Sequence, residues 1–124
     1  MYMNIKIRTA NFDLTPAIED YIYKKLPSLE KFLNKDGNVL CEVEIGKTTS
    51  HHKSGDIFKA EVNITESHGN QFYALAEESD LYAAIDVVRD EMERIIVAKK
   101  KKANTLFRRG ASKIKNIIKK INGK

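Results

Sequence analysis

Residues 3–8 alternate with period two: Met3, Ile5 and Ile7 fall on one side and Asn4, Lys6 and Arg8 on the other. That pattern predicts a half-buried strand. After the connection Asn11-Phe12-Asp13-Leu14 the period changes. Thr15 stands as an N-cap, with Pro16 at the first helical position, where a missing N–H costs nothing. Ile18, Ile22, Leu26, Leu29 and Leu33 follow at helical spacing, flanked by Tyr21 and Phe32. Pro27 removes the hydrogen bond to the Tyr23 carbonyl, so the helix expected over about 15–33 is kinked rather than broken. The turn cluster Lys35-Asp36-Gly37-Asn38 ends it.

Three more alternating segments follow. Val39, Cys41, Val43 and Ile45 oppose Glu42 and Glu44; Phe58, Ala60, Val62 and Ile64 oppose Lys59, Glu61 and Asn63; Phe72, Ala74 and Ala76 share a face of the last. His68-Gly69-Asn70 predicts an antiparallel hairpin between the last two, and the polar stretch 48–55 an exposed loop. A second helix is expected from a cap at Ser79 or Asp80, with the stripe Leu81, Ile85, Val88, Met92 and Ile95. It is expected to end at about Lys102, its basic last turns suiting the negative end of the helix dipole. One sheet face must be buried, and only the two amphipathic helices are available to cover it. The expected fold is α+β, in β-α-β-β-β-α order, a four-stranded sheet with two helices on one face. Residues 1–102 form the expected domain and 103–124 a basic tail, flexible or partly helical.

The length of 124 residues fits one domain, and 42% hydrophobic residues supply a core, which excludes wholesale disorder. No apolar run approaches the roughly 18 residues of a membrane-spanning helix. The N-terminus lacks the apolar stretch of a signal peptide, and a single cysteine, Cys41, points to a reducing compartment. A cytoplasmic protein is expected.

Charge is sharply segregated. Residues 94–124 carry twelve bases and no acid, a formal +12, while the other ten bases and all seventeen acids leave residues 1–93 at −7. Such asymmetry implies an anionic partner for the C-terminal part. The candidate RNA-binding residues are Lys24, Lys31 and Lys35, whose offsets of seven and four share a helix face, and Lys25 beside them. Arg94, Lys99, Lys100, Lys101, Lys102, Arg108 and Arg109 complete the set. Ile114, Ile117, Ile118 and Ile121 mark a short apolar stripe, expected to become helical on a partner.

Catalytic chemistry is not indicated. Adjacent His51 and His52 point apart on one chain, and a zinc site needs three or four convergent ligands. Cys41 reads as a small apolar core residue, His68 as an exposed turn residue, and no Gly-rich phosphate loop is present. No enzyme activity, metal or cofactor is expected.

The segment Asp80-Leu81-Tyr82-Ala83-Ala84-Ile85-Asp86 resembles the signature of the hibernation-promoting factor and ribosome-associated inhibitor A family. Asn11, the run Leu14-Thr15-Pro16-Ala17-Ile18, and Lys25-Leu26 followed by Leu29-Glu30-Lys31-Phe32 are similar to its first helix. The resemblance covers roughly residues 3–100. It implies a fold similar to double-stranded RNA-binding domains and a cytoplasmic protein that binds the small ribosomal subunit and intact ribosomes. Such proteins occupy the decoding region, block tRNA and mRNA, and silence translation under stress or in stationary phase. Lys25, Lys31, Arg94 and Lys100 match RNA-facing bases of the family.

The signature itself reads as structural: Asp80 a cap, Leu81 and Ile85 packed on the sheet, Tyr82 at the core edge. Glu91, Ile95, Val97, Ala98 and Ser28 depart from the family's more basic pattern, so the tail is expected to compensate by threading into an RNA-lined channel. The 22 residues after Lys102 are too short for the dimerising domain of the family's long forms, so a free monomer is expected. Two alternatives stay open: a general double-stranded RNA-binding module, and a membrane-surface protein docking through its basic amphipathic tail.

Overall fold

The computed structural model describes residues 3–33, 37–48, 56–67 and 69–121, with side chains through residue 103. The elements are β1 (Met3–Ala10), α1 (Pro16–Lys25), a 3-10 helix (Leu26–Phe32), β2 (Val39–Thr48), β3 (Ile57–Glu66), β4 (Gln71–Glu78) and α2 (Leu81–Ile121). The strands lie in the order β1-β2-β3-β4, with β1 parallel to β2 and the other pairs antiparallel. A parallel pair needs a crossover, which α1 and the 3-10 helix supply. The α+β fold and its β-α-β-β-β-α order are those the alternation predicts.

Register sets the inward residues abreast. Ile5, Cys41, Ile64 and Phe72 form one row, and Val43, Val62 and Ala74 the next. Ile22, Leu26, Leu29 and Leu33 from the crossover, and Leu81, Ala84, Ile85, Val88, Met92 and Ile96 from α2, close over these rows in a single core. Both helices therefore cover one sheet face. Each fully buried aliphatic side chain contributes roughly 1.5–3 kcal/mol. Among the described side chains the α2 stripe ends on Ile96, which is fully buried, with Ile95 at its edge.

Two helix boundaries differ from expectation. The single kinked helix over 15–33 is instead an α-helix that tightens to 3-10 winding at Leu26. The Leu26 N–H still bonds the Ile22 carbonyl, but Pro27 has no N–H for the next bond, and the chain continues with shorter rings, ending in Leu33 N–H to Glu30 carbonyl at 3.0 Å. Positions three apart eclipse in a 3-10 helix, so Leu26 and Leu29 stay buried with Phe32 packed beside them. The second correction is α2, which continues past Lys102 to Ile121. A short helix is marginal alone because nucleation is unfavourable, whereas extending a docked helix adds one bond per residue. No proline interrupts 103–121.

Local signals work as expected elsewhere. The Ile18 N–H donates to Thr15 Oγ1 at 3.3 Å, and the Ala83 N–H to Asp80 Oδ2 at 3.1 Å, so Asp80 is the cap of α2. Gly69, at φ +93°, turns the β3–β4 hairpin, its N–H donating to the Glu66 carbonyl at 2.9 Å. Asn11 takes φ 66° after β1 and its amide donates to the Lys47 carbonyl at 3.2 Å, tying the strand end to β2. Lys35, His51, His52 and His68 lie outside the described residues.

Burial pushes the Cys41 thiol up to about 12, with the Glu42 carboxylate adding to the shift. Thiolate is the reactive form, so the native chain is expected to be inert to Ellman's reagent at pH 8 and to react fully in denaturant. Fast reaction of the folded chain, followed at 412 nm, would contradict a buried Cys41.

Candidate nucleic-acid interface

Tyr21 against Tyr82, Lys25 against Asp86 and Ser28 against Arg89 are each 61 positions apart, so α1 and the start of the 3-10 helix run parallel to α2, side by side. The ring centroids of Tyr21 and Tyr82 are 4.9 Å apart, edge to face at 87°. The Tyr21 hydroxyl donates to Asp86 Oδ1 at 2.6 Å, and Lys25 Nζ lies 3.8 Å from the same oxygen and 5.4 Å from the Tyr21 ring centre. Below them, Arg89 Nε donates to Ser28 Oγ at 2.8 Å, and that hydroxyl donates to the Lys25 carbonyl at 2.7 Å.

The seam opens outward as a groove of about 550 Å³, lined by Lys24, Lys25, Ser28, Asp86, Arg89 and Asp90. Three bases face two acids there, and Arg89 also pairs with Glu93 at 2.6 Å. Arg89 is a basic groove residue absent from the sequence-derived set. Its signal was spacing: it lies five residues before Arg94 on the same helix, hidden among Asp86, Asp90, Glu91 and Glu93.

The helical spacing of Lys24, Lys31 and Lys35 assumed an unbroken α-helix. With 3-10 winding from Leu26, the 3.6-residue period does not carry across, and Lys24 lines the groove while Lys31 sits 5.2 Å over the Phe32 ring. Arg94 is exposed and pairs with Glu91. Lys101 and Lys102 are exposed, and Arg108 and Arg109 lie on the α2 backbone beyond the described side chains.

Lys99 and Lys100 are used differently. Lys100 Nζ lies 2.8 and 3.0 Å from the two oxygens of Glu66, whose side chain is 1% exposed, and Asn70 Nδ2 donates to the same carboxylate at 3.1 Å. Lys99 Nζ donates to the Gln71 carbonyl at 2.8 Å and lies 5.0 Å over the Phe72 ring. Glu66 extends the inward series Ala60, Val62 and Ile64 by one more alternation, and an acid at that parity under a lysine-rich helix was the overlooked sign.

The opposite sheet face carries Glu42, Glu44, Glu61 and Glu77 among Lys6, Arg8 and Lys59. Hydrogen bonds from Tyr73 and then Lys59 hold the Glu61 carboxyl below its usual value. That face is not electropositive. Along the chain, the acid-free run begins at Arg94 and continues up α2. At 1.5 Å per residue, the 41 residues of α2 reach roughly 60 Å, about twice the span of the eight residues of β4. The basic half of the helix thus extends beyond the sheet.

A model of the family described as sigma 54 modulation protein / S30EA ribosomal protein matches residues 5–104. The chain belongs to that family. Among S30EA relatives, it is 30% identical over 100 residues to a ribosome hibernation promoting factor of Klebsiella oxytoca, covering 81% of this chain and 96% of that protein. It is 33% identical over 113 residues to a ribosome hibernation promotion factor of Bacillus subtilis, covering 89% of this chain but 55% of that protein.

The crystal structure of the Thermus thermophilus Protein Y N-terminal domain superposes with a TM-score of 0.61 at 30% identity, over 75% of this chain and 94% of that one. A ribosomal subunit interface protein from Coxiella burnetii shares the fold, with a TM-score of 0.56 at 19% identity over 78% and 97% of the two chains. Among the described residues, no helix is long and apolar enough to cross a membrane and no acid, histidine or cysteine cluster suits a metal ion.

The S30EA signature residues are thus structural in this chain: Asp80 caps, Leu81 and Ile85 are buried, Tyr82 packs on Tyr21, and Asp86 accepts the Tyr21 hydroxyl. That hydrogen bond, then desolvation, pushes the Tyr21 phenol up to about 12. Its contribution to stability is present below the ordinary value of about 10 and is lost as pH rises through about 12. Ultraviolet titration at 295 nm should show a late-ionising tyrosine that disappears in Tyr21→Phe; an unchanged curve would contradict the contact. Removing one partner of a buried ion pair costs roughly 3–5 kcal/mol. Urea unfolding should therefore show a loss of that order for Lys100→Ala and at most about 0.5 kcal/mol for exposed Lys102→Ala.

Proposed function

We propose that this chain is a ribosome-binding factor that holds ribosomes inactive, through contact of its basic helix surface with ribosomal RNA. The observation that carries the reading is the acid-free run from Arg94 onward, built as a continuous helix on the fold shared with proteins named ribosome hibernation promoting factors. The finer reading is occlusion. The folded body sits in the decoding region of the small subunit and excludes tRNA and mRNA, with no bond made or broken in the process. Lys24, Lys25, Lys31, Lys35 and Arg94 serve as phosphate contacts on the body. Lys101, Lys102, Arg108 and Arg109 serve on the extended helix, where Lys99 and Lys100 adjoin them. Ribosomes are a cytoplasmic partner, and the role fits translation silencing under stress.

Phosphate-dominated binding makes a quantitative demand. With 6–10 phosphate contacts, affinity should fall about 10³–10⁵-fold between 50 and 200 mM salt. Co-sedimentation of the full chain with purified ribosomes and separated subunits, across that salt range, measures it. Co-migration with the small subunit and steep salt dependence support the proposal. A shallow slope, or loss of the complex to excess bulk duplex RNA, argues for a different or unselective partner.

A further inference from the structure

Among the described side chains, the last one of α2 packed in the core is Ile96, 25 residues before the helix ends at Ile121. Past that point, the helix meets the β3–β4 hairpin through two adjacent lysines. Lys100 pairs with the buried Glu66 carboxylate at 2.8 Å, which Asn70 also holds, and Lys99 bonds the Gln71 carbonyl and covers Phe72. The hairpin end is itself closed by Glu66 N–H to Asn70 carbonyl at 2.8 Å and Gly69 N–H to Glu66 carbonyl at 2.9 Å, so the carboxylate sits on a braced turn. We propose that the Glu66–Lys100 pair, with the Lys99–Gln71 bond beside it, is a latch that sets the direction in which the basic half of α2 leaves the sheet. Glu66 is then a positioning residue for the arm formed by residues 101–121.

A buried ion pair is weak evidence for stability, since an apolar pair of similar volume holds a core equally well. Its directional hydrogen bonds specify a geometry, and the geometry specified here is the exit of the arm. About 20 residues of helix make a lever of roughly 30 Å, so 20° of play at the pivot moves the tip by about 10 Å. That displacement exceeds the reach of a lysine–phosphate contact. A fixed arm presents its bases together and loses less conformational freedom on binding. The consequence for affinity rests on the ribosome-binding proposal above; the consequence for the direction of the arm does not.

The test uses the full chain with nitroxide labels at Asn63→Cys and Ser112→Cys, the buried Cys41 left in place, and pulsed electron spin resonance to read the distance distribution. The otherwise native chain should give one narrow distribution, broadened by Glu66→Gln. The exposed Lys99→Ala, which buries no lone charge, should broaden it as well. An unchanged distribution in both variants, with folding verified by circular dichroism, overturns the latch.

Ribosome affinity is then compared for Glu66→Gln in two full-length backgrounds, native and one with Arg108, Arg109, Lys113 and Lys115 all changed to Gln. A loss of about tenfold in the first, equivalent to about 1.4 kcal/mol, is expected to shrink below about twofold in the second. Equal losses in both would make Glu66 a structural residue only. A broadened distance distribution in a chain whose native form does not bind ribosomes would keep the latch and sink the functional proposal.

Discussion

A four-stranded sheet with one apolar face must be covered, and among the described residues the cover is a pair of helices that has to fit on that face together. The parallel β1–β2 pair fixes how. Its crossover brings α1 back across the sheet, and α2, leaving the end of β4, returns in the same direction. From this follow the constant offset of 61 between contacting partners, the seam of Tyr21, Tyr82 and Asp86, and the groove whose rims carry Lys24, Lys25 and Arg89. The outward surface of the helix pair is a by-product of core burial, and its chemistry was free to be set by the residues left outside.

Charge divides that surface into unlike parts. Over the folded body, bases alternate with Asp86, Asp90, Glu91 and Glu93, and much of their charge is met internally. Beyond Glu93 the helix carries no acid of its own, and Lys100 finds its carboxylate on β3 at Glu66. The two lysines nearest the end of the sheet are drawn into contacts with the hairpin, and past them α2 carries the exposed Lys101 and Lys102. One run of four lysines therefore serves two purposes, anchorage by Lys99 and Lys100 and an exposed charge at Lys101 and Lys102.

The strands and the inward rows were legible because period two is an unambiguous sign of a half-buried strand, and Cys41, Val62 and Phe72 fall where alternation puts them. The caps at Thr15 and Asp80 were equally plain. What escaped depended on energies that a periodicity does not contain. Pro27 was visible, but whether a missing bond bends a helix or tightens it depends on which winding keeps Leu26 and Leu29 in the core. The length of α2 is not legible because the stripe in 111–121 is too short for a helix standing alone, and only its continuity with a docked helix lets it extend. Of the candidate site, the residue types were legible and their partners were not: the roles of Arg89 and Glu66 depend on neighbours 61 and 34 positions away.

The family signature illustrates the same separation of roles. In this chain Asp80, Tyr82 and Asp86 are each constrained by a specific contact: a helix cap, an aromatic edge and a phenol hydrogen bond. A phosphate-binding lysine is constrained far less, since several positions on a helix face deliver the same charge to the same anion. Ser28 shows the latitude. Its hydroxyl ties Arg89 to the turn after α1, so a position without a base of its own still orients one from the neighbouring helix. A surface of this kind tolerates exchange of individual bases while the seam beneath it does not. Substitutions at Tyr21 or Asp86 should therefore disturb the geometry of the basic surface, whereas single changes at exposed lysines outside the Lys99–Lys100 anchorage subtract one contact each.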